Sequence, residues 1–301
     1  MEEKQIFPRA TGFSGKILIA SLFILSGILL FARNMGWITS EVFDMIVSWH
    51  SLLIILGIYS MIRRHFIGGI ILFLAAYISS KSREMRQWKK MVIPFLFAIP
   101  IIVIVGIENL STCIILLAIS FIMIFVATPL LVPFVVIGLI GVAGAGGLLL
   151  TQGYRMERIT VWLDPAASEK GHQTIQGLYA IGSGGLFGKG LGQSMQKLGF
   201  LPEANNDMIF SVICEELGLF GALCVLALFF ALIWRFMVIA VNAPDLYGSM
   251  IVVGVIAHIG IQVFINIAVA TNTIPNTGIP LPFISYGGSS LVFMLLEMGL
   301  V

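Results

Sequence analysis

Long apolar runs separated by short polar breaks dominate the chain. A helix needs about 20 mostly apolar residues to cross a hydrocarbon core about 30 Å thick. By that measure, candidate spans fall at roughly 17–32, 42–62, 66–80, 91–107, 112–127, 129–151, 217–239, 249–270 and 286–301. Pro94, Pro100, Pro129 and Pro133 lie inside these spans or at their edges. A helical bundle in a bilayer tolerates them where neighbouring groups satisfy the freed carbonyls. Gly141, Gly144, Gly146 and Gly147 would let helices approach closely. The pattern predicts an all-α polytopic bundle of about eight or nine spans.

One break is of a different kind. Residues 152–206 are polar, glycine-rich and long. Structureless loops beyond about 15 residues are uncommon unless functional or disordered. This one holds aromatic and aliphatic residues able to pack, which predicts an ordered functional loop on one membrane face.

Composition excludes a soluble protein. Charged residues make up 11% of the 301 and hydrophobic residues 58%, with a mean hydropathy of +1.03. Soluble domains carry about 25% charged residues. A net charge of +2, with no basic stripe interleaved with aromatics, argues against a nucleic-acid partner. Cys113, Cys214 and Cys224 sit in apolar runs without metal-ligand spacing and read as small core residues. Met1 to Lys16 lacks the features of a cleaved signal, so the first apolar run is expected to remain as an anchor.

Charge also orients the spans, because short basic loops favour the cytoplasm. Lys81, Arg83, Arg86, Lys89 and Lys90 are the densest basic cluster, which places 81–90 inside. Counting from there puts 108–111, the 152–206 loop and 271–285 outside, with 234–247 inside. The front of the chain conflicts with this. Arg63 and Arg64 should also be cytoplasmic, yet only one apolar run, 66–80, separates them from Lys81. Either 66–80 is re-entrant, or two sequences of different topological parity join near residue 70. In both cases 66–80 is expected to pack less well than later spans.

Candidate chemistry concentrates in the long loop. Gly182, Gly184, Gly185, Gly188, Gly190 and Gly192 could bring backbone amides close to an anion or could simply turn sharply at the membrane surface. The run is not a Walker A loop: Ser183 stands where the first glycine belongs, and Gly190 follows Lys189 where Ser or Thr is needed. Asp207, at the start of an apolar helix, is either an N-cap or a functional carboxylate at the membrane face. Glu215 and Glu216 lie about two turns further on, placed to pair with loop basics or to support a site. Lys189, Lys197, Arg155 and Arg158 could bind an anion or anchor the loop to headgroups.

Several ordered runs then carry a resemblance. They are Ile181-Gly-Ser-Gly-Gly-Leu-Phe-Gly-Lys-Gly-Leu-Gly192, Gln196-Lys197, Phe200-Leu-Pro-Glu203, Asn206-Asp207-Met-Ile-Phe210, Glu215-Glu216-Leu-Gly218 and Asn276-Thr-Gly-Ile-Pro-Leu-Pro-Phe-Ile-Ser-Tyr-Gly-Gly-Ser-Ser290. From about Leu74 to Val301 the chain resembles the SEDS family of bacterial shape, elongation, division and sporulation proteins (the FtsW/RodA/SpoVE type). The division-type branch fits best, although the other branches share most of these runs.

The resemblance implies a peptidoglycan glycosyltransferase in the bacterial cytoplasmic membrane. It would polymerise lipid II at the outer face, beside a class B penicillin-binding protein. The family's essential loop acid falls on Asp207, expected as general base, with Glu203 supporting it. The substrate diphosphate would meet Lys189, Lys197, Arg155, Arg158, Gly188 and Gly190, or a divalent cation such as Mg or Mn. No other cofactor is expected, and the remaining contacts are membrane lipids. Two other readings stay open: a flippase for lipid-linked precursors, and a catalytically dead scaffold for the penicillin-binding protein.

The front of the chain departs from the family, which usually opens with four spans and an Arg-rich motif. Residues 15–76 resemble instead a small LiaF-like bacterial membrane domain, through Gly27-Ile-Leu-Leu-Phe-Ala-Arg-Asn34-Met-Gly36 and Leu53-Ile-Ile-Leu-Gly57. The expected organisation is therefore an N-terminal membrane module, 1–70, joined to a SEDS-like core, 71–301. The family's last span is expected to continue past Val301 into a basic tail.

Overall fold

The computed structural model describes residues 66–128 other than 83, 84 and 86, isolated positions between 135 and 144, and 153–301 other than 169 and 170. They belong to one compact unit, Ser60–Val301. The expected spans at 17–32, 42–62 and 129–151 lie largely or wholly outside the described residues, as do Arg63 and Arg64.

Among the described residues all regular structure is helical. The helices are α1 (Phe66–Ser80), α2 (Trp88–Glu108), α3 (Leu110–Ala127), α4 (Gly153–Leu163), α5 (His172–Gly184), α6 (Ile209–Val241), α7 (Leu246–Ala270) and α8 (Gly288–Leu300). Helices α2, α3, α6 and α7 are long and apolar enough to cross a membrane, while α1 and α8 are shorter. This is the polytopic helical membrane fold that the apolar runs predict. Asn109 alone links α2 to α3, and its side chain accepts from the amides of Ser111 and Thr112. That cap satisfies two donors which the helix start would otherwise leave open.

Helix α7 is the centre of the bundle. It packs on α6, α1 and α3, and its buried residues run all round it, from Met250 to Ala270. A helix apolar on every side belongs in a core or a membrane. Three polar side chains nonetheless share one face, His258, Gln262 and Asn266, all buried. His258 Nδ1 meets the Glu297 carboxylate of α8 at 2.7 Å, pinning α8 to α7.

Helix α1 contradicts the expected poor packing of 66–80. Ile70, Ile71, Leu74, Ala75 and Ile78 are all buried, against α7 and α3. Gly254 makes this approach possible, since a Cβ there would fall 2.5 Å from Ile71 Cγ2. Gly68 faces the Glu297 carboxylate, while Ile71 meets Gly254, a turn nearer the start of α7. Helix α1 therefore starts at the level of the His258–Glu297 pair and runs toward the 81–90 side. Its 15 residues cover about 22 Å, less than a full crossing.

Helix α6 is broken at Gly218, where φ is 68° and ψ −167°. A short stem, 209–217, precedes the break, and the long limb beyond it matches the expected 217–239 span. The three segments that charge assigns to the outer face do meet at one end of the bundle. Ser111 Oγ donates to Thr277 O at 2.7 Å, Arg158 Nη1 to Asn276 O at 2.9 Å, and the Tyr286 amide to Asn205 O at 2.8 Å.

Candidate active site

Asp207 ends a tight turn that leads into the α6 stem. Glu203 sits at φ 54°, and its carbonyl accepts from the amides of Asn206 at 2.9 Å and Met208 at 3.4 Å. A non-glycine residue in the left-handed region is strained, and such strain clusters at functional sites. The turn is moored from α7: Asn266 Nδ2 donates to both Asp207 O and Ile279 O, each at 2.8 Å. Ser285 Oγ holds Asn206 O at 2.6 Å.

The Asp207 side chain is 6% exposed. It does not cap the stem: the N-cap is Met208, without a side-chain bond, so the capping alternative is not realised. Its Oδ1 accepts from Gln173 Nε2 of α5 at 3.3 Å. Its Oδ2 faces Gly278, where a Cβ would stand 3.9 Å away. Asn276 Nδ2 in turn donates to Gln173 Oε1 at 3.2 Å, and Asn276 Oδ1 accepts from the Gly278 amide at 3.0 Å. Asn276 thus braces the residue that touches the carboxylate.

Burial is the main influence on this carboxyl and pushes its pKa up, because the charged form loses water. The negative charge of Glu203 adds to the rise. Its own amide, Gln173 and the charge of Arg158 pull the other way without reversing it. Glu203 itself is exposed and accepts from Asn206 Nδ2 at 3.2 Å, so it acts on Asp207 through its field.

The glycine run takes the turn alternative. Glycines 184 to 190 interlock with the broken part of α6. Lys189 N donates to Glu215 O and Gly190 N to Glu216 O, while Leu219 N and Phe220 N donate to Gly185 O and Leu186 O. Gly188 N donates to Gly184 O. The amides of Gly188, Lys189 and Gly190 are therefore spent on the chain's own carbonyls rather than held open for a phosphate. The glycines are needed for contact: a Cβ on Gly184 would lie 1.9 Å from Cys214 O, and one on Gly188 2.2 Å from Glu216 O.

The loop lysines are partnered too. Glu215 is fully buried and accepts from Lys189 Nζ at 2.7 Å, the Met195 amide at 3.3 Å and the Gln196 amide at 3.3 Å. Ser194 Oγ also donates to it. Lys197 Nζ pairs with Glu216 at 3.2 Å. Glu215 and Glu216 thus lock loop to helix. Arg155 lies in α4, with its side chain outside the described residues. Among the described residues no cluster of three or more His, Cys, Asp or Glu stands ready to hold a metal.

A cleft of about 300 Å³ opens between α4, α5 and the 272–276 segment, one side chain away from Asp207, since Gln173 both lines it and touches the carboxylate. Arg158, Trp162, Gln173, Asn272 and Asn276 line it together with Glu157. Trp162 Nε1 donates to Asn272 O at 3.0 Å, and Asn272 is again in the left-handed region, at φ 54°.

Residues 65–301 match the FtsW/RodA/SpoVE cell cycle protein family over more than three-quarters of the chain. The chain belongs to that family. A second match, to the LiaF transmembrane domain, covers 18–110 and overlaps the first between 65 and 110. Stage V sporulation protein E of Bacillus subtilis is 46% identical over 239 residues, 77% of this chain. A probable peptidoglycan glycosyltransferase FtsW of a Geobacter species is 34% identical over 237 residues. The chain spans 65% of the length of each of these relatives.

Solved structures agree on the fold. A chain described under the structural coordination of polymerization and crosslinking by a peptidoglycan synthase complex superposes with a TM-score of 0.63 at 26% identity, covering 79% of this chain and 67% of that one. The rod shape determining protein RodA of Thermus thermophilus gives 0.53 at 27% identity, covering 79% and 62%.

Within this FtsW/RodA/SpoVE-type core, the sequence singles out Asp207 but not the amides around it. Pattern assigns no role to Gln173, Asn266 or Asn276, because a neutral amide carries no charge or periodicity to mark it. Asn276, two residues before Gly278, does carry a turn signal, since Asn side chains bond the backbone two residues on.

Proposed function

We propose that the chain is a peptidoglycan glycosyltransferase that polymerises lipid II, with Asp207 as general base. The observation that supports this most is a buried carboxylate, raised in pKa, held by Gln173, which also lines an open cleft at the bundle end. A base with a raised pKa takes a hydroxyl proton more readily. In the reaction, Asp207 removes the proton of a glycan 4-hydroxyl as its oxygen bonds to C1 of the lipid-linked sugar. The C1–O bond to the diphosphate breaks, and the electron pair leaves with the diphosphate. The relatives' names and the peptidoglycan synthase complex are consistent with this chemistry.

The outer face of the cytoplasmic membrane is the proposed place, and a class B penicillin-binding protein the proposed partner, in division, sporulation or cell-shape maintenance. Arg155 and Arg158 on α4 are proposed to stabilise the charge of the leaving diphosphate, because Lys189 and Lys197 are tied to Glu215 and Glu216. The test is purified chain in vesicles with labelled lipid II. Glycan strands on a gel support a polymerase. Translocated but unpolymerised lipid would support the flippase reading, and neither product would support a scaffold.

A further inference from the structure

The loop that interlocks with the break in α6 carries an apolar surface that the proposed chemistry does not use. Leu186, Phe187, Leu191, Met195, Leu198 and Phe200 are each between 56% and 81% exposed. Between Gly185 and Pro202 the only charged residues are Lys189 and Lys197, and both pair with glutamates of α6. Single exposed apolar residues are ordinary, but so dense a set on one short loop marks an interaction surface.

The depth of the loop says what covers that surface. The amides of Leu219 and Phe220 donate to Gly185 O at 2.9 Å and Leu186 O at 3.1 Å, which joins the loop to the start of the long α6 limb. From there the limb turns Leu219, Phe220, Leu223, Leu228 and Phe230 outward from the bundle. Leu219 to Val241 rises about 33 Å, or about 31 Å with an ordinary tilt, against a hydrocarbon core of about 30 Å. Leu219 to Arg235, the first charge on the limb, rises only about 24 Å. Trp234, exposed beside Arg235, suits the opposite interface, where indoles collect. By either count Leu219 and Phe220 lie at or inside the hydrocarbon boundary, and so does the loop backbone bonded to them. A partner's water-soluble domain would meet the chain above that level.

We propose that residues 186–200 form an interfacial anchor whose apolar side chains insert into the leaflet on the Asp207 side, against phospholipid acyl chains. Apolar burial holds it there rather than charge, because Lys189 and Lys197 are committed to Glu215 and Glu216. The same pairs and the main-chain bonds tie the loop to the α6 stem that follows Asp207, so the anchor sets the height of that carboxylate above the leaflet.

One test needs no substitution. The wild-type full chain is placed in phosphatidylcholine vesicles containing a trace of phosphatidylcholine with a photoreactive diazirine on its acyl chain. After irradiation, fragments cut at lysine are mapped by mass spectrometry. Adducts are expected on the fragments 171–189 and 190–197 as well as on the α6 limb. Labelling of the limb with neither loop fragment labelled would overturn the proposal.

A second test reads depth directly. An environment-sensitive NBD dye is attached at Phe187→Cys or Leu198→Cys, with native cysteines replaced, and Phe230→Cys marks the mid-limb. At 187 and 198 the dye should emit at shorter wavelength than in water and resist iodide. Lipids with a doxyl group near the headgroup should quench it more than lipids with a deep one, and the order should reverse at 230. High salt should change nothing, since salt screens charge and not apolar burial. Aqueous emission with iodide quenching, or release of the loop by salt, would overturn the anchor. Shielding that arises only when a purified class B penicillin-binding protein is added would give the surface to a protein instead, and would overturn it too.

Discussion

At the scale of single residues, the state of Asp207 decides the chemistry. Its pKa is raised above the ordinary 3.8, with burial as the largest cause. Only the unprotonated form is a base, so the polymerisation rate should fall as pH drops through that raised value. Rates measured from acid to neutral pH check this, and a rate flat down to pH 4 would contradict it. Stability runs the opposite way. Between 3.8 and the raised value the folded chain holds the proton that the unfolded chain has lost, so this residue's contribution declines as pH rises through the window. Lys189 gives a second prediction. Lys189→Met removes the cation of the fully buried Glu215, and leaving that acceptor short of a donor should cost roughly 1–3 kcal/mol. A lowered Tm with near-normal KM is expected; unchanged Tm with a raised KM would restore the anion-binding role. Asp207 is legible in the sequence because an acid beside hydrocarbon stands out by cost alone. The pairing of Lys189 with Glu215 is not, because 26 residues separate them and only the fold brings them together.

At the scale of elements, apolar length makes α2, α3 and α7 readable to within a few residues. It does not reveal that α6 starts at Ile209 and breaks at Gly218, since hydropathy has no term for a backbone that leaves the helix and is rescued by another stretch of chain. The rescue is the interlock of 184–190 with 215–220, and it makes unequal demands on its glycines. Gly188 is at φ 76°, and a methyl group there would stand 2.2 Å from Glu216 O, whereas one on Gly190, at φ 106°, would meet only Gln193 Cγ at 3.6 Å. Both alanine variants bear the left-handed backbone cost, but Gly188→Ala also collides with main chain. Gly188→Ala should therefore lose folded yield and Tm well beyond Gly190→Ala, as thermal unfolding in detergent would measure. Equal losses would mean that the interlock does not hold the break.

At the scale of the whole molecule, charge places 108–111, the long loop and 271–285 on one side, and hydrogen bonds join them at one end of the bundle. Charge parity fails for the packing of α1 because it speaks of loops and not of the face a helix offers its neighbours. Residues 1–70 remain proposed as a separate module, now with matches to two families that overlap over 65–110. Since α1 is short and runs toward the 81–90 side, both flanking basic clusters are expected on the cytoplasmic side. Single cysteines at Arg64→Cys and Arg86→Cys, with native cysteines replaced, should resist an impermeant reagent until the membrane is permeabilised. Labelling of Arg64→Cys in intact cells would contradict this. The central claim concerns the reaction, and one measurement tests it most directly: single-turnover polymerisation of labelled lipid II by the purified chain and its Asp207→Asn variant. Wild type should form glycan strands, and the variant, folded and with no lower Tm at neutral pH, should form none. Strand formation by Asp207→Asn at the wild-type rate would contradict the account.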